Sequence, residues 1–290
     1  MDVPMLYAVG FLILFVLGGM TGVMLAIPGV NYAVHNTEFV VAHFHNTIIG
    51  GVVFGVLAGY NYWFPKVFGF RLHQGWGYAT FWLWFIGFLV AFIPLYIVGF
   101  DGMPRRVSQN IDLRYGPYLV VAFFGAVMIF SGILAIVIQL LVSIKQREKL
   151  KDLTGDPWNG RTLEWSIPSP PPSYGFAVIP EVTEVDMFWK QKQEGKAYSI
   201  NRQYSDIYIP KNTALGFVSS GVFAGLLSFS LVWSIWWLAI AFFGIAILFW
   251  IIESFREHPE ILIPQQKVQE ADQEFLQTVN NYIAAEGKLS

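Results

Sequence analysis

No cysteine occurs among the 290 residues. That excludes disulfides, iron–sulfur ligation and thiolate-held copper within this chain, and leaves the redox compartment unreadable from cysteine usage. Charge is scarce too: 13% of residues are charged, with 18 Lys and Arg against 20 Asp and Glu. A net charge of −2 offers no basic surface, so no nucleic-acid partner is expected. The N-terminus lacks a basic n-region, and its apolar run is too long for a signal-peptide core, so no cleavable signal is expected. No internal repeat is visible. What is abundant is apolar: 55% hydrophobic, 17% aromatic and a mean hydropathy of +0.50, the composition of a membrane protein.

A spanning helix needs roughly 20 apolar residues, and the uncharged runs supply them. The first span is expected at about Met5–Ile27, closed by Pro28-Gly29, and the second at 38–64, ending in Trp63-Phe64-Pro65-Lys66. The third, at 76–99, contains Pro94, which is expected to kink it, and the fourth lies within Tyr115–Ile144. Residues 145–212 differ in kind. They are charged and cluster Pro168, Pro170, Pro171 and Pro172, so irregular and polyproline structure is expected there rather than a compact core. The uncharged run Thr213–Ile252 would make about 60 Å of helix, twice the bilayer core, and reads as a hairpin turning near Trp233–Trp237. A polar tail follows, with an amphipathic helix expected at about 267–285. The chain thus reads as all-α and polytopic, with about six transmembrane helices. Four lie in 1–144; a Pro-rich connecting segment occupies 145–212, a helical hairpin 213–253 and a polar tail 254–290.

Six spans put both termini on one side. On that side, near the span ends, lie Lys66, Arg71, Lys145, Arg147, Lys149, Lys151, Lys211 and Arg256; on the other lie only Arg105, Arg106 and Arg114. The excess of basic residues makes the termini cytoplasmic. It also isolates Arg105-Arg106 as an anomaly on the disfavoured side.

Three of the five histidines fall in one stretch, His35 to His45, and two of those lie inside a span. Between Phe39 and Pro65 there is no Asp, Glu, Lys or Arg, so His43 and His45 are the only strongly basic groups there. An ionisable group at membrane depth is costly and marks function by default. Positions i and i+2 on a helix are about 200° apart, so the two imidazoles leave from nearly opposite faces. They cannot share one metal, as an i, i+4 pair can. They could hold two cofactors, one on each side, and two haem irons with one helix between them fit that arrangement. The outer-side guanidinium pair at the same level suits haem propionates, since Arg forks bind carboxylates bidentately. The bland alternatives are an intramembrane histidine as a helix–helix hydrogen-bond donor, an arginine pair as an interfacial anchor, and His35 as a loop hydrogen bond.

Ala42-His43-Phe44-His45 with upstream His35, the Arg105-Arg106 pair, Asp156-Pro157-Trp158, Thr162-Leu163-Glu164-Trp165 and Ser169-Pro170-Pro171-Pro172 together resemble subunit I of the haem-copper respiratory oxidases. The resemblance covers nearly the whole chain. Asn36 after the loop histidine, where cytochrome c oxidases usually have Asp, points to the bo3-type ubiquinol oxidase branch. Asn46 after the histidine pair and two extra helices after the Pro-rich segment point the same way.

The resemblance implies His43 as axial ligand of the high-spin, oxygen-binding haem and His45 as one axial ligand of the low-spin haem. Phe44 would lie in the short electron path between them, Arg105 and Arg106 would bind propionates, and His35 would sit near a propionate. It implies a low-spin haem b, a high-spin haem o (or b or a) and a copper ion, CuB. CuB needs three further histidines and the low-spin haem one more. Only His73 and His258 remain, both in polar segments on the cytoplasmic side. The resemblance therefore implies the C-terminal portion of the subunit I fold, inert alone. Its implied partners are the N-terminal part of subunit I, subunits II, III and IV, ubiquinol, dioxygen and lipid, in a bacterial inner membrane. As an enzyme it would belong to a proton-pumping quinol:O2 oxidoreductase. The rival readings are part of an aa3-type cytochrome c oxidase subunit I, and a non-enzymatic membrane assembly or transport subunit with structural histidines.

Overall fold

The structure, a computed structural model, describes residues 1–107, 112–211, 214–255 and 260–286. Helices α1 (Val3–Ala26), α2 (Pro28–Val34), α3 (Glu38–Phe68), α4 (Gln74–Phe100), α5 (Gly116–Lys145) and α6 (Met187–Gln193) come first. Strand β1 (Ile207–Pro210), helices α7 (Gly216–Val232) and α8 (Trp236–Ser254), strand β2 (Glu260–Ile263) and helix α9 (Gln265–Glu286) follow. Among the described residues α1, α3, α4, α5 and α8 are long and apolar enough to cross a membrane; α7 is apolar but shorter. Arg256 and His258 lie outside the described residues. Contacts divide the chain into two compact units: Met1–Pro172 with Val182–Tyr198 and Gln277–Ser290, and Ser173–Glu181 with Ser199–Leu276.

In the first unit the element boundaries follow local chemistry. Helix α1 stops before Pro28, and the proline then starts α2, because its missing N–H costs nothing at a helix N-terminus. Thr37 caps α3: its hydroxyl accepts from the Phe39 N–H at 3.3 Å, and Glu38 sits in the first turn, where a carboxylate complements the helix dipole. The helix loosens into a π turn at Ile48–Val53 and ends at Gly69, whose left-handed φ of 77° closes it with an N–H to the Pro65 carbonyl. His73 caps α4 by accepting from the Trp76 N–H at 3.3 Å. Helix α4 runs through Pro94 without interruption.

The helices pack through one aromatic core. Val3, Tyr7 and Leu14 of α1 meet Phe54 and Leu57 of α3 and Phe81, Trp84 and Phe88 of α4. The buried Tyr7 hydroxyl is satisfied by Thr80 at 3.1 Å. Helix α4 packs most extensively on α5. It also meets the start of α3 at Gly99, where a β-carbon would overlap the Phe39 backbone nitrogen, so only glycine allows this approach. Buried polar contacts join three helices near the end of α3: Gln139 donates to Asn61 at 3.1 Å, and Ser143 accepts from the His73 N–H at 2.9 Å.

The stretch after α5 is irregular and proline-rich, yet it is packed. Trp165 and Phe188 are completely buried. The Lys66 ammonium, instead of reaching water, donates to the Gly155 and Ile167 carbonyls at 2.7 Å each and lies 5.3 Å from the Trp165 ring centroid. Trp158 and Trp165 donate to the Tyr62 carbonyl and hydroxyl. Arg71 stacks over Trp158 and donates to the Pro157 carbonyl. Asp156 is paired with Lys192, the two side chains 0% and 9% exposed. Burial pushes the Asp156 carboxyl above the ordinary carboxylate range, opposed by Lys192 and by the Gly160 N–H. The density comes from indole and cation pairs rather than from regular structure.

In the second unit, α7 and α8 form a helical hairpin. The corner falls at Trp233–Ile235, with Ser234 in the left-handed region at φ 56° and Trp233, Trp236 and Trp237 all exposed. Strands β1 and β2, which flank the hairpin in the chain, pair antiparallel from Ile207↔Ile263 to Pro210↔Glu260. This short ribbon has no counterpart in the helical reading. Arg202 and Tyr204 both donate to Asp272, at 3.1 and 2.9 Å to the same oxygen.

Candidate functional site

Helix α3 places the two imidazoles on opposite faces, as the i, i+2 spacing requires. His43 faces α1: its Nδ1 lies 2.9 Å from the Thr21 hydroxyl and 3.1 Å from the Gly18 carbonyl. His45 faces α4, where its ring stacks on Phe92 with centroids 4.7 Å apart and planes 21° apart. Its Nδ1 lies 2.8 Å from the Val41 carbonyl one turn back. In both residues Nδ1 is held by a carbonyl, and Nε2 has no hydrogen-bond partner among the described residues. That is the state a metal-binding histidine needs: one nitrogen donating to a fixed acceptor, which sets tautomer and ring angle, and the other bare.

Space is provided as well. Gly22 lies against the His43 ring, where a β-carbon would stand 2.9 Å from Cε1 and 3.6 Å from Nε2, so a side chain at this position would fill the ground beside the bare nitrogen. Phe44, 36% exposed, lies between the two histidines in sequence with its ring centroid 4.3 Å from that of His45. The residues present therefore fit a metal bound at Nε2 on each side of α3, with open ground shown beside His43.

The arginine loop is tied to the start of the same helix. Glu38 N–H donates to the Met103 carbonyl at 2.9 Å, Arg105 N–H donates to the Asn36 carbonyl at 3.0 Å, and Thr37 forms an isolated β-bridge with Pro104. Arg105 and Arg106 are thus held beside the first turn of α3, roughly 10 Å of helix rise before His45. Arg105 is half-buried and within electrostatic reach of Glu38; Arg106 is exposed, its backbone left-handed at φ 65°. His35 is exposed and fully used locally: its Nδ1 lies 3.2 Å from the Asn31 carbonyl, and Asn36 donates to its Nε2 at 2.9 Å. The structure joins its loop to the arginine loop through the Asn36 carbonyl and leaves its ring nitrogens bonded to neighbours.

Several contributors could not be found in the sequence. Gly18 and Thr21 of α1 and Phe92 of α4 touch the imidazoles from other spans, and one sequence does not say which spans adjoin. Thr21 offers a hint, as one of two hydroxyl-bearing residues, with Tyr7, inside an otherwise apolar run. No three His, Asp or Glu side chains converge among the described residues.

These features define a multi-pass helical membrane protein whose central helix offers one bare imidazole nitrogen on each of two faces. The family model described as "Cytochrome C and Quinol oxidase polypeptide I" matches residues 1–145, and the chain belongs to that family. It is 50% identical over 284 residues to "Cytochrome bo(3) ubiquinol oxidase subunit 1" of Buchnera aphidicola subsp. Acyrthosiphon pisum, covering 96% of this chain and 42% of that one. It is 53% identical over 238 residues to "Ubiquinol oxidase subunit 1" of Acetobacter aceti, covering 81% of this chain and 36% of the relative. A third relative, "Probable cytochrome c oxidase subunit 1" of Bradyrhizobium diazoefficiens, is 43% identical over 98% of this chain and 43% of its own length. The chain spans well under half the length of these curated relatives.

Proposed function

We propose that this chain is the C-terminal part of the catalytic subunit of a quinol-oxidising, proton-pumping terminal oxidase in a bacterial inner membrane, with its termini cytoplasmic. The observation that carries this reading is the pair of oppositely directed imidazoles, each tied at Nδ1 and bare at Nε2. Relatives named ubiquinol oxidase, at 50% and 53% identity, support the donor. His43 would hold the iron of the high-spin haem (o, or b or a) through Nε2, and His45 would be one ligand to the iron of the low-spin haem b. Bound there, the two haems, together with CuB held by the rest of subunit I, supply electron transfer and the reduction of dioxygen to water.

This chain's residues fix and insulate that chemistry. The Val41 carbonyl and the Phe92 face hold the His45 ring, and the Gly18 carbonyl with Thr21 holds the His43 ring. Phe44 keeps the path between the two sites apolar and free of water. Arg105 and Arg106 pair with propionate carboxylates, and their loop holds them by backbone bonds to Asn36 and Glu38. The remaining CuB and haem ligands come from the N-terminal part of subunit I; subunits II, III and IV, ubiquinol and lipid complete the partners. A pyridine haemochrome spectrum of the purified complex tests the reading. Two haems per complex, one lost on His45→Ala, is the expected result. Full low-spin absorbance in an assembled His45→Ala complex would overturn it.

A second reading keeps the enzyme and changes the donor to cytochrome c, supported by the relative of that name at 43% identity. Extracted haem decides: B with O or B supports quinol, whereas two haem A supports cytochrome c.

A further inference from the structure

We propose that Thr21 and Tyr96 are positioning residues that set how strongly His43 donates to its metal, through a hydrogen-bonded relay running from α4 across α1 to the imidazole. The proposal rests on the reading above that His43 Nε2 binds an iron, although the relay's geometry stands without it. The Thr21 hydroxyl oxygen is 2.7 Å from the Gly18 carbonyl, 2.9 Å from His43 Nδ1 and 3.0 Å from the Tyr96 hydroxyl. Three groups converge on one oxygen, in a part-buried site between spans.

One proton arrangement satisfies all of these groups, including the Gly18 carbonyl, which lies 3.1 Å from His43 Nδ1 as well. A threonine hydroxyl has a single hydrogen and two lone pairs. The Gly18 carbonyl can only accept, so the Thr21 hydrogen goes there. The Tyr96 hydroxyl must then donate to the Thr21 oxygen. The second lone pair accepts from His43, which places the ring hydrogen on Nδ1 and leaves Nε2 as the bare, metal-binding nitrogen. Were the hydrogen on Nε2, the ring could not ligate, and a bare Nδ1 would face the Gly18 carbonyl oxygen at 3.1 Å, lone pair against lone pair. Thr21 and the Gly18 carbonyl, which itself lies 3.1 Å from Nδ1, therefore select the ligating tautomer together. Thr21 also tunes it, because an imidazole whose N–H is drawn to an acceptor is a stronger electron donor at the other nitrogen. Tyr96 moderates this by donating to the same oxygen. The two residues are expected to act with opposite sign.

The test uses the whole oxidase complex, with the ferrous iron–histidine stretching band and the midpoint potential of the high-spin haem as readouts. Thr21→Val is expected to move the band to lower wavenumber and the potential upward, because the ligand donates less. Thr21→Ser, which keeps the hydroxyl, is expected to restore both. Tyr96→Phe frees a lone pair on Thr21 and is expected to shift both slightly the other way. A Thr21→Val complex with both readouts at wild-type values overturns the proposal, as does a Thr21→Ser complex that behaves like valine. Should Thr21→Val lose its haem, Tyr96→Phe decides: an upward band shift supports the relay, and no shift overturns it. A His43→Ala complex that keeps a normal high-spin haem would sink the ligand assignment itself, a different failure.

Discussion

Replacing Gly22 by alanine should damage the high-spin site and nothing else. The new methyl would stand 2.9 Å from His43 Cε1, about half an ångström inside ordinary van der Waals contact, which begins near 3.4 Å. The ring cannot simply swing aside. Its Nδ1 is held at 2.9 Å by Thr21 and at 3.1 Å by the Gly18 carbonyl, so a shift of this size stretches both bonds. Losing one such bond costs about 1 kcal/mol, and overpacking typically adds about 1–3 kcal/mol. The larger consequence is angular, because the Nε2 lone pair would turn away from the iron proposed for it; comparable disturbance of the groups behind a ligand lowers metal affinity or activity by roughly 10–100-fold. Gly19→Ala is the internal control: it lies on the same helix, and its added methyl would meet nothing within 4 Å. Carbon monoxide difference spectra measure the high-spin site, and the low-spin absorbance on the opposite face of α3 serves as reference. A Gly22→Ala complex that binds carbon monoxide like Gly19→Ala would refute the geometry.

Other consequences are open to measurement. Asp156→Asn leaves the buried Lys192 ammonium without its counter-charge and should destabilise the packed segment by about 3–5 kcal/mol, read as faster proteolysis between residues 145 and 198. Adding Lys192→Met should recover most of that loss, since the unpaired charge is what costs; no recovery would mean the pair is not the source. Gly99→Ala puts a methyl into the Phe39 backbone and should force α4 off the capped start of α3, lowering the yield of assembled complex. A normal yield would show that the two helices do not cross there.

Much of this architecture is legible in the amino-acid sequence. The uncharged runs locate the spans because only helices satisfy their backbone in lipid, although the end expected at residue 64 falls short of the Gly69 cap that closes α3 beyond Pro65. The opposite directions of His43 and His45 follow from helix geometry alone. Other features escape for physical reasons. Lys66 looks like a basic residue at a span end, but its burial depends on Trp165 and two carbonyls from a segment about 100 residues on. The β1–β2 ribbon joins residues 207–210 to 260–263, too short and too distant in sequence for a pattern. The partners of the imidazoles, Thr21, Phe92 and Tyr96, belong to neighbouring spans, and hydropathy says nothing about which spans are neighbours.

The central claim is that α3 separates two haems and gives one ligand to each. Single substitutions of its two histidines, followed by optical spectroscopy of the intact complex, test it most directly. His45→Ala is predicted to abolish the low-spin absorbance while carbon monoxide binding persists, and His43→Ala to do the reverse. If both substitutions removed the same signal, or either left both signals intact in an assembled complex, the two imidazoles would not be serving two irons.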